Sequence, residues 1–132
     1  MQSIHNKFKH AIQSGQKQIG LWSHLCSPIS IEILADCGYD WLLLDMEHSP
    51  NDLSEIMAQL QAMKGGSATP IVRPPWNDMV TFKRLLDIGV QNLLVPYLFC
   101  PAILVMVLAA FTIQVAVQNQ IIGWQVFGQS PA

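Results

Sequence analysis

Four short apolar segments, separated by helical patterns, restrict this chain to a parallel α/β fold. The segments begin at Ile19, Trp41, Pro70 and Leu93, so strand and helix alternate with a period of about 20 to 30 residues, as βα units do. The run Trp41–Leu44 is apolar at every position, which is typical of a strand covered on both faces. Periodicity alone fits four units of an eight-stranded barrel or a small doubly wound sheet.

Helix start signals separate these segments. A short amphipathic helix is predicted before the first strand, over residues 4–15. Ser27-Pro28, Ser49-Pro50 and Asn77 have the residue types of helix N-caps, and they predict three further helices.

Charge and cysteine content exclude several classes of protein. The 132 residues carry 7 Lys and Arg against 9 Asp and Glu, a net charge of −2, so nucleic acid is not an expected partner. Cys26, Cys37 and Cys100 form no C-x-x-C pair, which argues against a disulfide framework and a structural zinc site. The first residues contain lysines and histidines and no apolar signal region, so the expected location is the cytoplasm.

The charged residues are unevenly distributed. All of them lie at or before Asp87, and the 45 residues from Ile88 to Ala132 contain no Asp, Glu, Lys, Arg or His. Such a run is far outside average composition. We therefore predict two parts, an α/β enzyme segment over residues 1–97 and an atypical apolar tail over residues 98–132.

The most reactive group of residues directly follows the second predicted strand. Asp45, Glu47 and His48 place two carboxylates and an imidazole at the carboxyl end of that strand, where ligands bind in both candidate folds. A histidine exchanges protons near neutral pH, and a neighbouring carboxylate holds its tautomer. The alternative is a polar loop whose acids cap the next helix.

Three further residues have both a functional and a structural interpretation. Arg73 ends an Ile-Val strand, where it would bind a carboxylate or enolate, or form a salt bridge to Asp45 or Glu47. Trp22 would cover a small ligand, or pack in the core or at the rim. Asp87 lies near the C-terminal end of a helix, where the helix dipole disfavours a carboxylate. Its side chain is therefore expected to have a partner, unless it faces solvent. No sequence pattern assigns a role to His24.

Residues 1–97 closely resemble the N-terminal part of the HpcH/HpaI family of class II pyruvate aldolases. The resemblance is carried by five segments in the family's order and spacing: IGLW at 19–22, DWLLLDMEHSPND at 40–52, AQLQAM at 58–63, PIVRPPWND at 70–78 and KRLLDIGVQNLLVPY at 83–97. It implies a (β/α)8 barrel, of which four βα units are present in this part.

The resemblance also implies an activity and the residues that carry it. The family cleaves a 4-hydroxy-2-oxo acid, such as 4-hydroxy-2-oxoheptanedioate in aromatic catabolism, reversibly to pyruvate and an aldehyde. His48 matches the family's general base, Asp87 the acid paired with that base, and Arg73 the arginine that binds the pyruvyl oxygen. Trp22 is then expected to line the substrate site, with Asp45 and Glu47 in support.

The resemblance implies a divalent metal, Mg or Mn with Co or Zn as further options, and a homo-oligomeric trimer or hexamer. In the family the metal is held by a Glu and an Asp on later strands, and no matching residues follow position 97. We therefore assign no metal ligand in this chain, and we expect weak metal binding and weak or absent activity.

Three explanations of the tail are open. A frameshift or truncation explains the abrupt change near Leu98 and is the one we favour. A membrane segment over residues 98–117 has a suitable length, but it contains Pro101 and lacks flanking positive charge. An evolved half-barrel would leave strand edges uncovered. The corresponding alternatives for function are a non-catalytic α/β binding or assembly module and a membrane-tethered fragment.

Overall fold

Five parallel strands form one sheet, in the same order as they occur along the chain. The computed structural model describes residues 6–97 and the backbone of residues 114–117. The elements are α1 (Lys7–Gln13), β1 (Gly20–Ser23), α2 (Pro28–Ala35), β2 (Trp41–Asp45), α3 (Leu53–Ala62), β3 (Thr69–Arg73), α4 (Met79–Asp87), β4 (Asn92–Val95) and β5 (Gln114–Val117).

The strand order distinguishes between the two candidate α/β folds. A doubly wound sheet reverses its strand order at a switch point, whereas β1 to β5 follow one another without a reversal. The helices that connect the strands, α2 to α4, also pack on a single face of the sheet. Within the described residues this is the arrangement of consecutive units of a (β/α)8 barrel, and the predicted fold class is confirmed.

The two faces of the sheet have separate apolar cores. On the outer face, Leu42, Leu44 and Val72 pack against α2, α3 and α4. On the inner face, Leu43 and Ile71 pack against α1, the helix predicted over residues 4–15. The full inner cluster consists of Phe8, Leu43, Ile71 and Leu94, with Ile12 and Trp41 at its edge. Because side chains alternate between faces along a strand, every second residue of β2 and β3 faces inward with Leu43 and Ile71.

Two of the three predicted helix caps are wrong by a few residues. Ser27 caps α2 as predicted, with Pro28 at the first helical position. The cap of α3 is Asp52, which forms a capping box with Glu55, because a carboxylate there reaches two backbone N–H groups. Ser49 instead donates to the carbonyl of Asp45.

The cap of α4 is also displaced. Asp78 accepts from the backbone of Thr81 at the start of this helix. Asn77, the predicted cap, donates to the carbonyl of Tyr97 instead.

The predicted tail falls largely outside the described residues. Residues 114–117 form β5, which pairs in parallel with β4, so this part of the range 98–132 continues the sheet. The membrane interpretation concerns residues 98–117, of which 98–113 lie outside the described residues. Among the described helices, none has the length and apolar character needed to cross a bilayer.

Candidate functional site

A buried ion pair between neighbouring strands forms the centre of the site. Asp45 ends β2 and Arg73 ends β3, and the two are directly opposite in the strand register. Arg73 Nε lies 2.8 Å from Asp45 Oδ1 and Nη2 lies 2.5 Å from Oδ2, which is the bidentate geometry that a guanidinium and a carboxylate favour. Both side chains point to the inner face of the sheet, one position beyond Leu43 and Ile71 on that face.

The environment of Asp45 keeps its carboxylate ionised. Burial raises the pKa of Asp45, but this effect is outweighed by the hydrogen bond from Arg73, the Glu47 backbone N–H, the positive charge of Arg73 and the Trp22 indole N–H. Together they lower the pKa from 3.8 to about 2. A carboxylate that is ionised and fully desolvated holds Arg73 firmly in position.

Two further contacts of Arg73 lie at the mouth of the site. Its Nη1 lies 2.8 Å from Glu47 Oε2, and its guanidinium carbon lies 4.5 Å from the centre of the Trp22 ring, within cation–π range. The salt bridges considered from the sequence, to Asp45 and to Glu47, are therefore both present. Two carboxylates and one guanidinium give this group a net charge of −1.

A buried polar network holds the loop after β2. The Asn51 side chain donates to the Asp45 carbonyl over 2.6 Å, and Gln59 on α3 donates to Asn51 Oδ1, also over 2.6 Å. Both amide side chains are buried, so these hydrogen bonds fix the loop that carries Glu47 and His48.

His48 lies at the rim of the site. Its side chain is 63% exposed, and its Nε2 lies 3.7 Å from Glu47 Oε1. Because the other oxygen of Glu47 contacts Arg73, Glu47 connects the predicted base to the predicted anion-binding residue. Trp22, Arg73 and His48 therefore lie at one end of the sheet, as expected from their positions after consecutive strands.

Asp87 is not part of this group in the described chain. Its carboxylate is 62% exposed and lies 2.9 Å from Lys83 Nζ, one helical turn away. Among residues 6–97, no hydrogen bond joins Asp87 to His48. The geometry within one chain matches the solvent-facing alternative for Asp87, and the pairing implied by the resemblance remains a prediction.

His24 contributes to the site, and the sequence patterns did not indicate this. Its Nε2 lies 2.8 Å from Asp45 Oδ2, and its ring stacks on Trp22 with a centroid separation of 6.5 Å. The sequence feature that could have identified His24 is its position immediately after a strand, the same feature that identified Asp45 and Arg73. It was weak because no charged residue lies beside it in the sequence.

The donor set does not fit a divalent cation. Within the described part of the chain, no group of three or more His, Cys, Asp or Glu side chains is arranged to hold a metal ion. Both Asp45 oxygens and one Glu47 oxygen are engaged by Arg73, so they are poorly available as ligands. The arrangement is suited instead to binding an anion or a polar organic group next to a guanidinium.

Comparisons with known proteins identify the family. The family model for HpcH/HpaI aldolase/citrate lyase matches residues 18–117, a range that extends past the boundary at residue 97. The chain is 53% identical over 93 residues to 4-hydroxy-2-oxo-heptane-1,7-dioate aldolase of Klebsiella pneumoniae subsp. pneumoniae. It is 54% identical over 92 residues to 5-keto-4-deoxy-D-glucarate aldolase of Escherichia coli. These matches cover 70% of this chain and 35% and 36% of the two relatives, so the chain spans about a third of their length.

Solved structures agree with this comparison. A crystal structure of an HpcH/HpaI aldolase/citrate lyase family protein from Burkholderia cenocepacia superposes with a TM-score of 0.71 at 37% identity, covering 75% of this chain and 40% of that one. An HpcH/HpaI aldolase from Desulfitobacterium hafniense superposes with a TM-score of 0.60 at 29% identity, covering 67% of this chain and 34% of that one. The family model matches this chain over most of the chain's length. This chain therefore belongs to the HpcH/HpaI aldolase/citrate lyase family.

Proposed function

We propose that this chain binds pyruvate and related 2-oxo acids at Arg73 and takes part in the aldol cleavage of a 4-hydroxy-2-oxo acid to pyruvate and an aldehyde. The observation that carries the proposal is the fixed guanidinium of Arg73 at the inner carboxyl end of the sheet, between Asp45 and Trp22. The names of the two aldolase relatives support this reaction class.

The substrate would reach Arg73 from the side of Glu47. Asp45 occupies the Nε and Nη2 edge of the guanidinium, whereas Glu47 contacts Nη1 and lies nearer the solvent. A 2-oxo acid that binds here therefore competes with the Glu47 carboxylate for Nη1. When Glu47 moves away, the positive charge of Arg73 becomes available to the incoming oxygen.

The bond-breaking step needs a base and a stabilised oxyanion. His48 would accept the proton of the 4-hydroxyl group, directly or through a water, as C4 becomes a carbonyl and the C3–C4 bond breaks. The bonding electron pair then forms an enolate, whose oxygen Arg73 stabilises. Protonation at C3 gives pyruvate. Glu47, 3.7 Å from His48, is positioned to hold its tautomer.

The remaining parts of the proposal concern the cofactor, the assembly and the location. In the family a divalent metal would polarise the 2-oxo group, and a homo-oligomer would be the assembled form. Because the described donor set does not fit a metal, we expect turnover by this chain to be low. The cytoplasm is the proposed location.

Proton exchange at the pyruvate methyl group tests this function without requiring an aldehyde. The chain is incubated with pyruvate and Mn²⁺ or Mg²⁺ in D₂O, and deuterium incorporation is followed by NMR. We expect slow exchange in the wild type and none in Arg73→Met. Lys83→Met is the matched control, because it removes an exposed cation that pairs with Asp87. Equal exchange in all three proteins and in buffer would contradict the proposal.

A non-catalytic binding module is the second candidate. It is favoured by one observation: Arg73 is paired with the carboxylates of Asp45 and Glu47, while the described residues provide no metal ligand set. Pyruvate binding that depends on Arg73 but produces no deuterium exchange would support this candidate.

A further inference from the structure

The imidazole of His24 occupies a defined place beside the buried ion pair. It follows β1 directly, lies against the Trp22 ring, and places Nε2 2.8 Å from Oδ2 of Asp45. The His24 side chain is 51% exposed, whereas that of Asp45 is fully buried. His24 therefore lies at the boundary between the buried ion pair and solvent.

The charge state of Asp45 determines which nitrogen of His24 carries the proton. Asp45 is bonded in bidentate fashion by Arg73 and is therefore ionised, so both its oxygens are hydrogen-bond acceptors only. Nε2 of His24 must then be the donor in their contact. In the neutral ring a proton on Nε2 leaves Nδ1 as an acceptor.

The acceptor nitrogen is available to a ligand. Within residues 6–97, no backbone or side-chain group forms a hydrogen bond with His24 Nδ1. The stack on Trp22 and the bond to Asp45 restrict the ring from two sides, so a ligand hydroxyl that reaches Nδ1 meets an acceptor that is already oriented.

The surrounding charges favour a neutral hydroxyl over a second carboxylate at this position. The titratable and charged groups around the mouth are Asp45, Glu47, Arg73 and His48. When the histidines are neutral, the charges of these groups sum to −1, and this net charge disfavours an additional anion near His24.

We infer that His24 is a specificity-determining residue that accepts a hydrogen bond at Nδ1 from a hydroxyl group on the aldehyde-derived end of the substrate, so that hydroxylated 2-oxo acids are the preferred class. The inference rests on the proposed binding of the 2-oxo end at Arg73. Arg73 and His24 both contact Oδ2 of Asp45, and His24 is the half-exposed member of the two, so a substrate held at Arg73 would extend past His24 towards solvent.

Two ligands that differ by one hydroxyl group provide the test. 4,5-Dihydroxy-2-oxopentanoate and 4-hydroxy-2-oxopentanoate share the 2-oxo acid and the C4 hydroxyl, so any contact of His48 with C4 is constant. Binding to the full chain is measured by calorimetry in a buffer with Mg²⁺, and ligand consumption is checked by NMR. The wild type is expected to bind the dihydroxy compound about three- to tenfold more tightly, the effect of one hydrogen bond.

Two substitutions at His24 separate the hydrogen bond from ring packing. His24→Phe keeps an aromatic ring against Trp22 without nitrogens and is expected to bind both ligands equally. His24→Gln provides an N–H for Asp45 and a carbonyl acceptor, and it is expected to retain part of the preference. His10→Phe, an exposed histidine on α1, is the matched control and is expected to keep the full preference.

The outcomes distinguish this inference from the proposed function. Equal binding of both ligands by the wild type, or a preference that survives in His24→Phe, would overturn the role of His24 alone. Binding of neither ligand would overturn the proposed function and the inference with it. Long-range ¹⁵N–¹H spectra at pH 8 give a second measurement independent of ligands: a proton on Nε2 with bare Nδ1 is expected, and a proton on Nδ1 would refute the inference.

Discussion

The carboxylate of Asp45 and the guanidinium of Arg73 lie opposite each other at the ends of β2 and β3 and form two hydrogen bonds, of 2.8 and 2.5 Å. The register pairs their Cα atoms, so the contact follows from strand pairing. Glu47, Trp22 and His24 are arranged around this pair. Its properties therefore govern both the stability of this edge of the sheet and the binding that we propose.

Replacing Arg73 is expected to destabilise the fold strongly. Arg73→Met leaves the buried Asp45 carboxylate without its main partner, and breaking a buried ion pair in this way costs about 3–5 kcal/mol. Lys83→Met breaks the exposed pair with Asp87 and is expected to change the free energy of unfolding by about 0.5 kcal/mol or less. Urea denaturation of the two variants and the wild type measures the contrast. Equal, small effects would show that Arg73 is not held as described.

Acid is expected to weaken the fold through Asp45. Burial opposes ionisation of this carboxyl, but Arg73 and the other donors lower its pKa to about 2, below the ordinary 3.8. The native state therefore binds this proton less readily than the unfolded chain, and the stabilisation is complete above about pH 5 and is lost as the pH falls towards 2. The wild type should lose about 2 kcal/mol more than Asp45→Asn across this range.

Unfolding curves of the wild type and Asp45→Asn between pH 7 and 2 provide this measurement. Hydrogen bonds from Ser54 and Thr81 also lower the pKa values of Asp52 and Asp78. These two caps are present in both proteins, so their effects cancel in the comparison. Parallel pH profiles for the two proteins would contradict the prediction.

The ring resonances of His48 should respond to Glu47 rather than to Asp87. Glu47 Oε1 is 3.7 Å from His48 Nε2, whereas Asp87 pairs with Lys83 on α4. In NMR spectra recorded at one fixed pH, Glu47→Gln is expected to move the His48 ring resonances, because it removes the carboxylate that lies 3.7 Å from Nε2. Asp87→Asn is expected to leave these resonances unchanged. A large shift in Asp87→Asn would show instead that Asp87 reaches His48, as the resemblance implies.

Divalent metal is expected to bind weakly. The described residues offer no group of three suitable ligands, and the sequence after Asp87 contains no carboxylate and no histidine. Calorimetric titration with Mn²⁺ in the presence of pyruvate should therefore show no tight stoichiometric binding. Glu47 and His48 are the nearest donors that remain for a metal ion. Glu47→Gln, which replaces the Glu47 carboxylate by an amide, is therefore titrated for comparison. Tight binding with aldolase turnover would reveal a ligand set that these residues do not explain.

Much of the architecture and part of the site could be predicted from the sequence. The apolar runs and the helical patterns between them specify alternating strands and helices locally, and the polar residues after Trp41–Leu44 and after Ile71-Val72 mark the carboxyl end of the sheet. These signals are local, since strand propensity, helix periodicity and the end of an apolar run each depend on neighbouring residues. The family resemblance adds roles for His48, Arg73 and Asp87, which remain predictions.

Tertiary structure decided which residues meet. Asp45 and Arg73 are 28 positions apart, and only the register of β2 and β3 places them on one face at the same level. The strand order excluded the doubly wound alternative for the described residues. His24 became part of the site, and Asp87 lies on an exposed helix face. The physical reason is that pairing between strands and the direction of each side chain depend on contacts distant in sequence, for which short patterns carry no information.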